Sequence, residues 1–313
     1  MIAKAVCKKS IGFISGIVSY AVLAIIMLLI AFAEYALWDT NQIHRAADKS
    51  HYEVYKPSKA DGGKSFKELQ AINDEVFAWL TVYGTNIDYP VAHNEDNMKY
   101  VNTNAEGQYS LSGAIFLDSS NSKDFSDFNS ILYGHHMAKK TMFGEIGEFS
   151  DRAVFEARRY GNLYYDEKDH GIEFFAFVHV DAYDMSVFRA NAKDETRQEY
   201  LENLIEKSMY FRDIGVSTED RIILLSTCSS SSTNGRDILV GRITDETYEW
   251  FVPDDVDTVK KQTPADFMYC TLQEIPTAKL LSPMLVLVLA ALLIVKAVGV
   301  HLGSKQKTKP KTE

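Results

Sequence analysis

Two long apolar runs bracket a chain that is otherwise mixed in polarity. Ile11–Phe32 runs for about 22 positions without a charged residue, which meets the roughly 20 needed to cross a bilayer. Leu280–Val295 is the second run and extends past Lys296 to Leu302. Lys296 lies near its end, where a long ammonium side chain can snorkel to the interface. A buried core helix is the alternative for each run, but one soluble domain has no need of such runs at both extremes. The pattern therefore predicts spans over residues 11–33 and 280–302, with short tails 1–10 and 303–313 outside them.

The period changes between the spans. Residues 34–64 are largely polar and irregular and read as a stalk with some helix. Ser65 with Glu68 has the form of a capping box, and Leu69, Ile72, Val76 and Phe77 follow at helical spacing. Short strand patterns follow at Ala78–Val82, Ile87–Val91, Gly113–Asp118, Ser130–Tyr133, Leu163–Tyr165 and Ile172–Tyr183. Pro90 suits a strand end or edge. Thr196–Tyr210 reads as a helix, with Thr196 and Glu199 as a second capping box and Tyr200, Leu201, Leu204 and Ile205 as its apolar stripe. Ile222–Leu225 and Ile238–Val240 are apolar runs of buried-strand length. Many short strands within a segment from 65 to 245 predict a small barrel with flanking helices, mainly β, followed by a linker over 246–279.

Charge orients these pieces. The chain has 313 residues and a formal net charge of −10. Lys4, Lys8 and Lys9 precede the first span, while Lys305, Lys307, Lys309 and Lys311 follow the second. Basic flanks stay cytoplasmic, so both termini are expected inside and Trp38–Lys279 outside. The outer part is then more acidic than the whole, which argues against a nucleic-acid partner. Ala31-Phe32-Ala33 also has the form of a signal-peptidase site, although the apolar stretch is long for a cleaved leader. Ile275-Pro276-Thr277-Ala278, just before the second span, falls short of an L-P-x-T-G spacing and lacks its glycine. Of the three cysteines, Cys7 sits at the inner edge of the first span and Cys270 near the second. Pairing of Cys270 with Cys228 would block the one thiol with chemical surroundings.

Those surroundings are in Ile222–Arg236, IILLSTCSSSSTNGR. Cys228 ends one apolar strand, and Arg236 opens the next after a serine-rich loop. Upstream, Tyr133-Gly134-His135-His136-Met137 follows the apolar pair Ile131-Leu132. A thiol, an imidazole and a guanidinium are the parts of an acyl-transfer site. The imidazole takes the thiol proton and later protonates the leaving amine, and a planar cation holds the oxyanion. His135 and His136 both have the position for the base. His93 and His170 lack such a setting, and His179 reads as a core histidine within an apolar strand. No short His/Cys spacing offers a metal site, and no cofactor is implied.

L-S-T-C with Arg eight positions on, together with Y-G-H-H-M and M-F-G-E upstream, resembles the sortases, and class B most closely. The resemblance runs through Asn73–Val91, Gly113–Asp118 and Asn129–Glu145 to about Ile243. Leu224 departs from it, standing where the T-L-S-T-C form has Thr, a swap that a strand tolerates. Sortases are cysteine transpeptidases that join surface proteins to the Gram-positive cell wall or to one another. The resemblance implies an eight-stranded barrel, and the two apolar runs add one transmembrane helix at each end. It assigns Cys228 as nucleophile, His135 as acid–base and Arg236 as oxyanion donor. Asp96–Val101 resembles the segment whose Asn and apolar residue line the peptide pocket, here Asn97 and Val101, with Thr227 beside the thiol. The implied partners are C-terminal sorting signals and, as acceptor, a peptidoglycan-precursor amine or a pilin lysine, at a lipid bilayer. The class B likeness implies wall anchoring, and a carboxyl-terminal anchor is common in pilin-polymerising sortases. A cysteine endopeptidase resolved by water and an idle wall-binding module are the alternatives outside the family's chemistry.

Overall fold

A computed structural model describes residues 2–58, 62–229 and 234–249. The second predicted span, the tail after it, Cys270 and nearly all of the predicted linker lie outside the described residues. The chain divides into two units, of which the second comprises Gln42–Thr258.

Helix α1 is Ile2–Ala46. Its stretch Gly16–Ala46 has a mean hydropathy of 2.6 in its most apolar window and none of that window is buried. Leu28, Leu29 and Phe32 are among its exposed large side chains. Water penalises such a helix and lipid does not, so it suggests a membrane anchor. The segment read as a stalk continues this helix to Ala46 and then makes short turns at Lys49–His51 and Glu53–Tyr55. Ala47 and Tyr52 are buried, and the Tyr89 hydroxyl donates to the Ala47 carbonyl at 2.9 Å.

Nine strands form one sheet: β1 (Val76–Val82), β2 (Asp88–His93), β3 (Ile115–Leu117), β4 (Asn129–Tyr133), β5 (Tyr160–Tyr165), β6 (Lys168–Asp181), β7 (Ser208–Phe211), β8 (Arg221–Cys228) and β9 (Gly235–Thr244). Their order is β5-β1-β2-β3-β4-β8-β9-β6-β7, and a β5–β6 pairing closes the first eight into a mixed barrel. The expected eight-stranded barrel is therefore present, with one strand more. β6 accommodates both neighbours on one edge. Its first half pairs with β5 and its second half with β7, with register shifts between Phe174 and Ala176 and between Phe177 and Val178.

The ninth strand lies at the end of the segment whose pattern predicts a helix over 196–210. After the short helix α3, Arg152–Ala157, helix α4 is only Arg197–Glu206, and Ser208–Phe211 then alternates between half-buried and exposed positions. Helix α2, Lys64–Ile72, likewise stops short of Phe77, because Asn73 is extended (φ −141°, ψ 104°) and Val76 and Phe77 enter β1. Neither expected capping box forms. Gly63 is the N-cap of α2 without a side-chain bond, and Ser65 Oγ donates to the Lys56 carbonyl. Thr196 Oγ1 donates to the Lys193 carbonyl instead of capping α4.

β8 explains why Ile222–Leu225 is apolar without alternation. Ile223 and Leu225 join the core inside the barrel, whereas Ile222 and Leu224 face a second core with Tyr200, Leu201 and Leu204 of α4. A strand buried on both faces has no polar side to show. Beyond Leu225 the two faces diverge in chemistry, and there the groove begins.

Candidate active site

Cys228 is the last residue of β8 and Arg236 the second of β9, and the two are Cα partners across this antiparallel pair. Pairing in register places both side chains on one face of the sheet. β4 runs parallel to β8 and delivers Tyr133 opposite Ser226. The chain then leaves the sheet through Gly134, whose N–H donates to the Ser226 carbonyl at 3.2 Å, and so brings His135 to the same end.

Glycine is required at two places in this loop. A Cβ on Gly134 would lie 2.7 Å from a ring carbon of Phe143, and one on Gly144 would lie 2.2 Å from the Met137 carbonyl. The loop between them is folded back on itself, with the Phe143 N–H donating to the His135 carbonyl at 3.0 Å and His136 bridging Met142. Glu145 ends it, buried, with Oε2 accepting from the Asn86 N–H at 2.5 Å in the β1–β2 turn. The M-F-G-E motif thus buckles the histidine loop to the barrel.

Cys228, His135, Arg236, Asn97, Val101 and Thr227, the six residues taken from the sequence, all line one groove of about 320 Å³. His136 does not line it. Among the described residues Cys228 is exposed and free of any disulfide, and Thr227 and Ser226 are buried with hydroxyls lacking a partner. Arg236 Nη1 donates to the Gly235 carbonyl at 3.1 Å. His135 Nε2 lies 2.8 Å from the Val101 carbonyl oxygen. A carbonyl only accepts, so the neutral ring holds its proton on Nε2 and keeps Nδ1 as the basic nitrogen. Val101 ends the short helical turn Lys99–Val101, whose Tyr100 is buried. The turn therefore contributes both a groove wall and the histidine's orienting carbonyl.

Three groove features escape the motif reading. Phe116 and Tyr133 are Cα partners on β3 and β4 with ring centroids 5.4 Å apart, and both line the groove. Asp118, beneath them, accepts from the Tyr133 hydroxyl and from Asn97 Nδ2, each at 3.0 Å. Burial, and then the charge of Asp118, push the Tyr133 phenol far above its ordinary value. Phe116 is buried like its neighbours Ile115 and Leu117, so no alternation of polarity in the sequence marks it as a groove residue. His179 corrects its core assignment: it is one-third exposed, and its Nδ1 pairs with Asp237 Oδ1 at 2.7 Å. Among the described residues no group of three or more His, Cys, Asp or Glu side chains gathers where a metal ion would sit.

No protein-family model matches the chain. Over 180 residues it is 31% identical to sortase B of Listeria monocytogenes, covering 56% of this chain and 73% of that protein. A crystal structure of sortase B from the type II pilus of Streptococcus pneumoniae is 44% identical, with a TM-score of 0.52, covering 58% of this chain and 99% of its own. A Staphylococcus aureus sortase B–substrate complex is 26% identical, with a TM-score of 0.54, covering 67% of this chain and 94% of its own.

Proposed function

The chain belongs to the sortase B family, and from that premise we propose a membrane-anchored transpeptidase in which Cys228 is the nucleophile, His135 the acid–base and Arg236 the oxyanion donor. The substrate is a secreted surface protein's C-terminal sorting signal, a proposal supported by the Staphylococcus aureus relative solved with a substrate. His135 Nδ1 takes the thiol proton, and Sγ attacks the scissile carbonyl carbon. Arg236 holds the resulting oxyanion with its planar fork. Collapse breaks the C–N bond, and the imidazolium returns its proton to the departing amine, leaving a thioester on Cys228. An acceptor amine then loses a proton to neutral His135 and attacks the thioester, which frees the thiolate. Asn97, Val101 and Thr227 line the path of the peptide.

The observation that carries this is the meeting of Cys228 and Arg236 as strand partners in a groove that also holds His135. His135 rather than His136 fits the base, because only His135 lines the groove and has its tautomer set by a carbonyl. The first span would hold the barrel at the outer face of a Gram-positive plasma membrane, with Lys4, Lys8 and Lys9 inside. Intact-mass detection of an acyl-enzyme, formed with a pool of sorting peptides, tests the assignment. The parent protein is expected to gain an acyl group that Cys228→Ala does not. Acylation of the Ala variant refutes it.

The acceptor divides wall anchoring from pilin polymerisation. The 44% identity to a pilus sortase favours a pilin lysine as the second reading. Competing a lysine-bearing pilin peptide against a wall-stem amine in the second half-reaction separates the two. Release by water unaffected by either amine would instead mark an endopeptidase.

A further inference from the structure

Behind the groove lining, bonded to two of its residues, lies a buried carboxylate that the chemistry above leaves unused. Asp118, just past β3, is 8% exposed. Its Oδ2 accepts from Asn97 Nδ2 and the Tyr133 hydroxyl, each at 3.0 Å, and its Oδ1 accepts from the Ser120 N–H at 2.8 Å. Asn97 Oδ1 accepts in turn from the Ser119 N–H at 2.7 Å.

These partners fix the polarity of two groove-lining side chains. A backbone N–H only donates, so Ser119 must meet the Asn97 oxygen. A carboxylate only accepts, so Asp118 must meet the nitrogen. Turning the Asn97 amide over would set acceptor against acceptor and donor against donor. One Nδ2 hydrogen remains for a ligand. Tyr133 has the opposite remainder: its only hydroxyl hydrogen goes to Asp118, which leaves the phenol oxygen as an acceptor.

We propose that Asp118 is a positioning residue which makes this wall of the groove a matched donor–acceptor pair for an amide of the bound peptide. Asn97 donates to the amide oxygen and Tyr133 accepts from its N–H. Asp118 also places negative charge directly behind both contacts, and that charge disfavours a carboxylate at the same position. The inference rests on the groove being the sorting-peptide groove. Either a main-chain amide or a side-chain carboxamide fits this chemistry.

The test uses the full-length protein in detergent with its Asp118→Asn and Tyr133→Phe variants. The probes are synthetic sorting peptides from the acylating pool, in matched pairs: Asn against Asp and Gln against Glu at each position, and main-chain N-methyl against unmodified. The readouts are kcat and KM for acyl-enzyme formation, iodoacetamide alkylation of Cys228, and melting temperature. Asp118→Asn is expected to lower kcat/KM for the amide peptides by roughly 10- to 100-fold, the loss typical of a hydrogen bond to a charged group, mostly through KM. The amide-over-carboxylate ratio should shrink with it, while alkylation proceeds at the parent rate. Tyr133→Phe keeps the ring and should lower the same ratio by about tenfold. The pair that loses its preference identifies side chain or main chain as the source.

A ratio unchanged in both variants overturns the proposal. So does a uniform loss across all peptides accompanied by a lower melting temperature, the mark of a structural role alone. Failure of the parent protein to acylate with any peptide overturns the peptide groove itself, and this inference with it.

Discussion

Gly134→Ala is the smallest change that tests how the histidine loop is held. The φ of Gly134 is not in the left-handed region, so the glycine is present for space. A Cβ there would lie 2.7, 2.9 and 3.1 Å from three ring carbons of Phe143. Phe143 is fully buried and its N–H is bonded to the His135 carbonyl, so the ring cannot swing clear. Overpacking of this kind costs about 1–3 kcal/mol. For a domain of this size that is a fall in melting temperature of roughly 2–12 °C, at about 2–4 °C per kcal/mol. The strain falls between residues 134 and 143, so the His135 ring and its bond to Val101 should shift with it. A displacement near 1 Å in a reacting group can cost about a hundredfold in rate.

Thermal melts of the full-length protein in detergent and acylation rates at a temperature where the variant is folded read the two effects separately. Phe143→Leu added to Gly134→Ala should relieve the clash. The double variant should then be more stable than the sum of the single losses by about 0.5 kcal/mol or more. A Gly134→Ala protein that melts and acylates like the parent would refute this account of the loop.

Three further outcomes follow from the same geometry. Arg236→Lys keeps the charge and loses the planar fork, so acylation should fall about 10²–10³-fold with little change in peptide binding; normal turnover with a lower melting temperature would make Arg236 structural. Glu145→Ala leaves the Asn86 N–H without its acceptor, and urea titration should show a loss of about 1–3 kcal/mol, with an unchanged midpoint counting against the buckle. In alkali, burial pushes Tyr89 up to about 12 and raises Tyr52, Tyr100, Tyr133 and Tyr200 beyond it. Their folded pKa values exceed the unfolded value near 10, so the stability these tyrosines contribute is fully present below pH 10 and is lost as pH rises from there. Tyrosinate absorbance should appear in two phases, with the second coinciding with unfolding, and one smooth transition near 10 would contradict the burial.

The sequence pattern read most truly where chemistry and local structure share one stretch of chain. Ile222–Leu225 looks like a strand buried on both sides and is one, and the thiol emerges where that double burial ends. The motif residues meet because β4, β8 and β9 are consecutive neighbours in the sheet, so short strands ending at one level place Tyr133, Cys228 and Arg236 on adjoining rows. Period alone misled where tertiary contacts override local preference. Ser208–Phe211 follows a helix without a punctuating Gly or Pro, and only its pairing with β6 makes it a strand. Ser65 and Thr196 have capping-box neighbours, yet both hydroxyls bond to carbonyls outside their helices. Asp118 was equally hard to foresee. Its partners Asn97 and Tyr133 lie 21 and 15 residues away in sequence, and neither spacing belongs to any helix or strand period. Such a carboxylate shows itself only once the barrel has closed over it. Motif residues announce the reacting atoms, whereas the groups that aim them are legible only in three dimensions, because aiming depends on which unrelated stretches the fold brings within 3 Å.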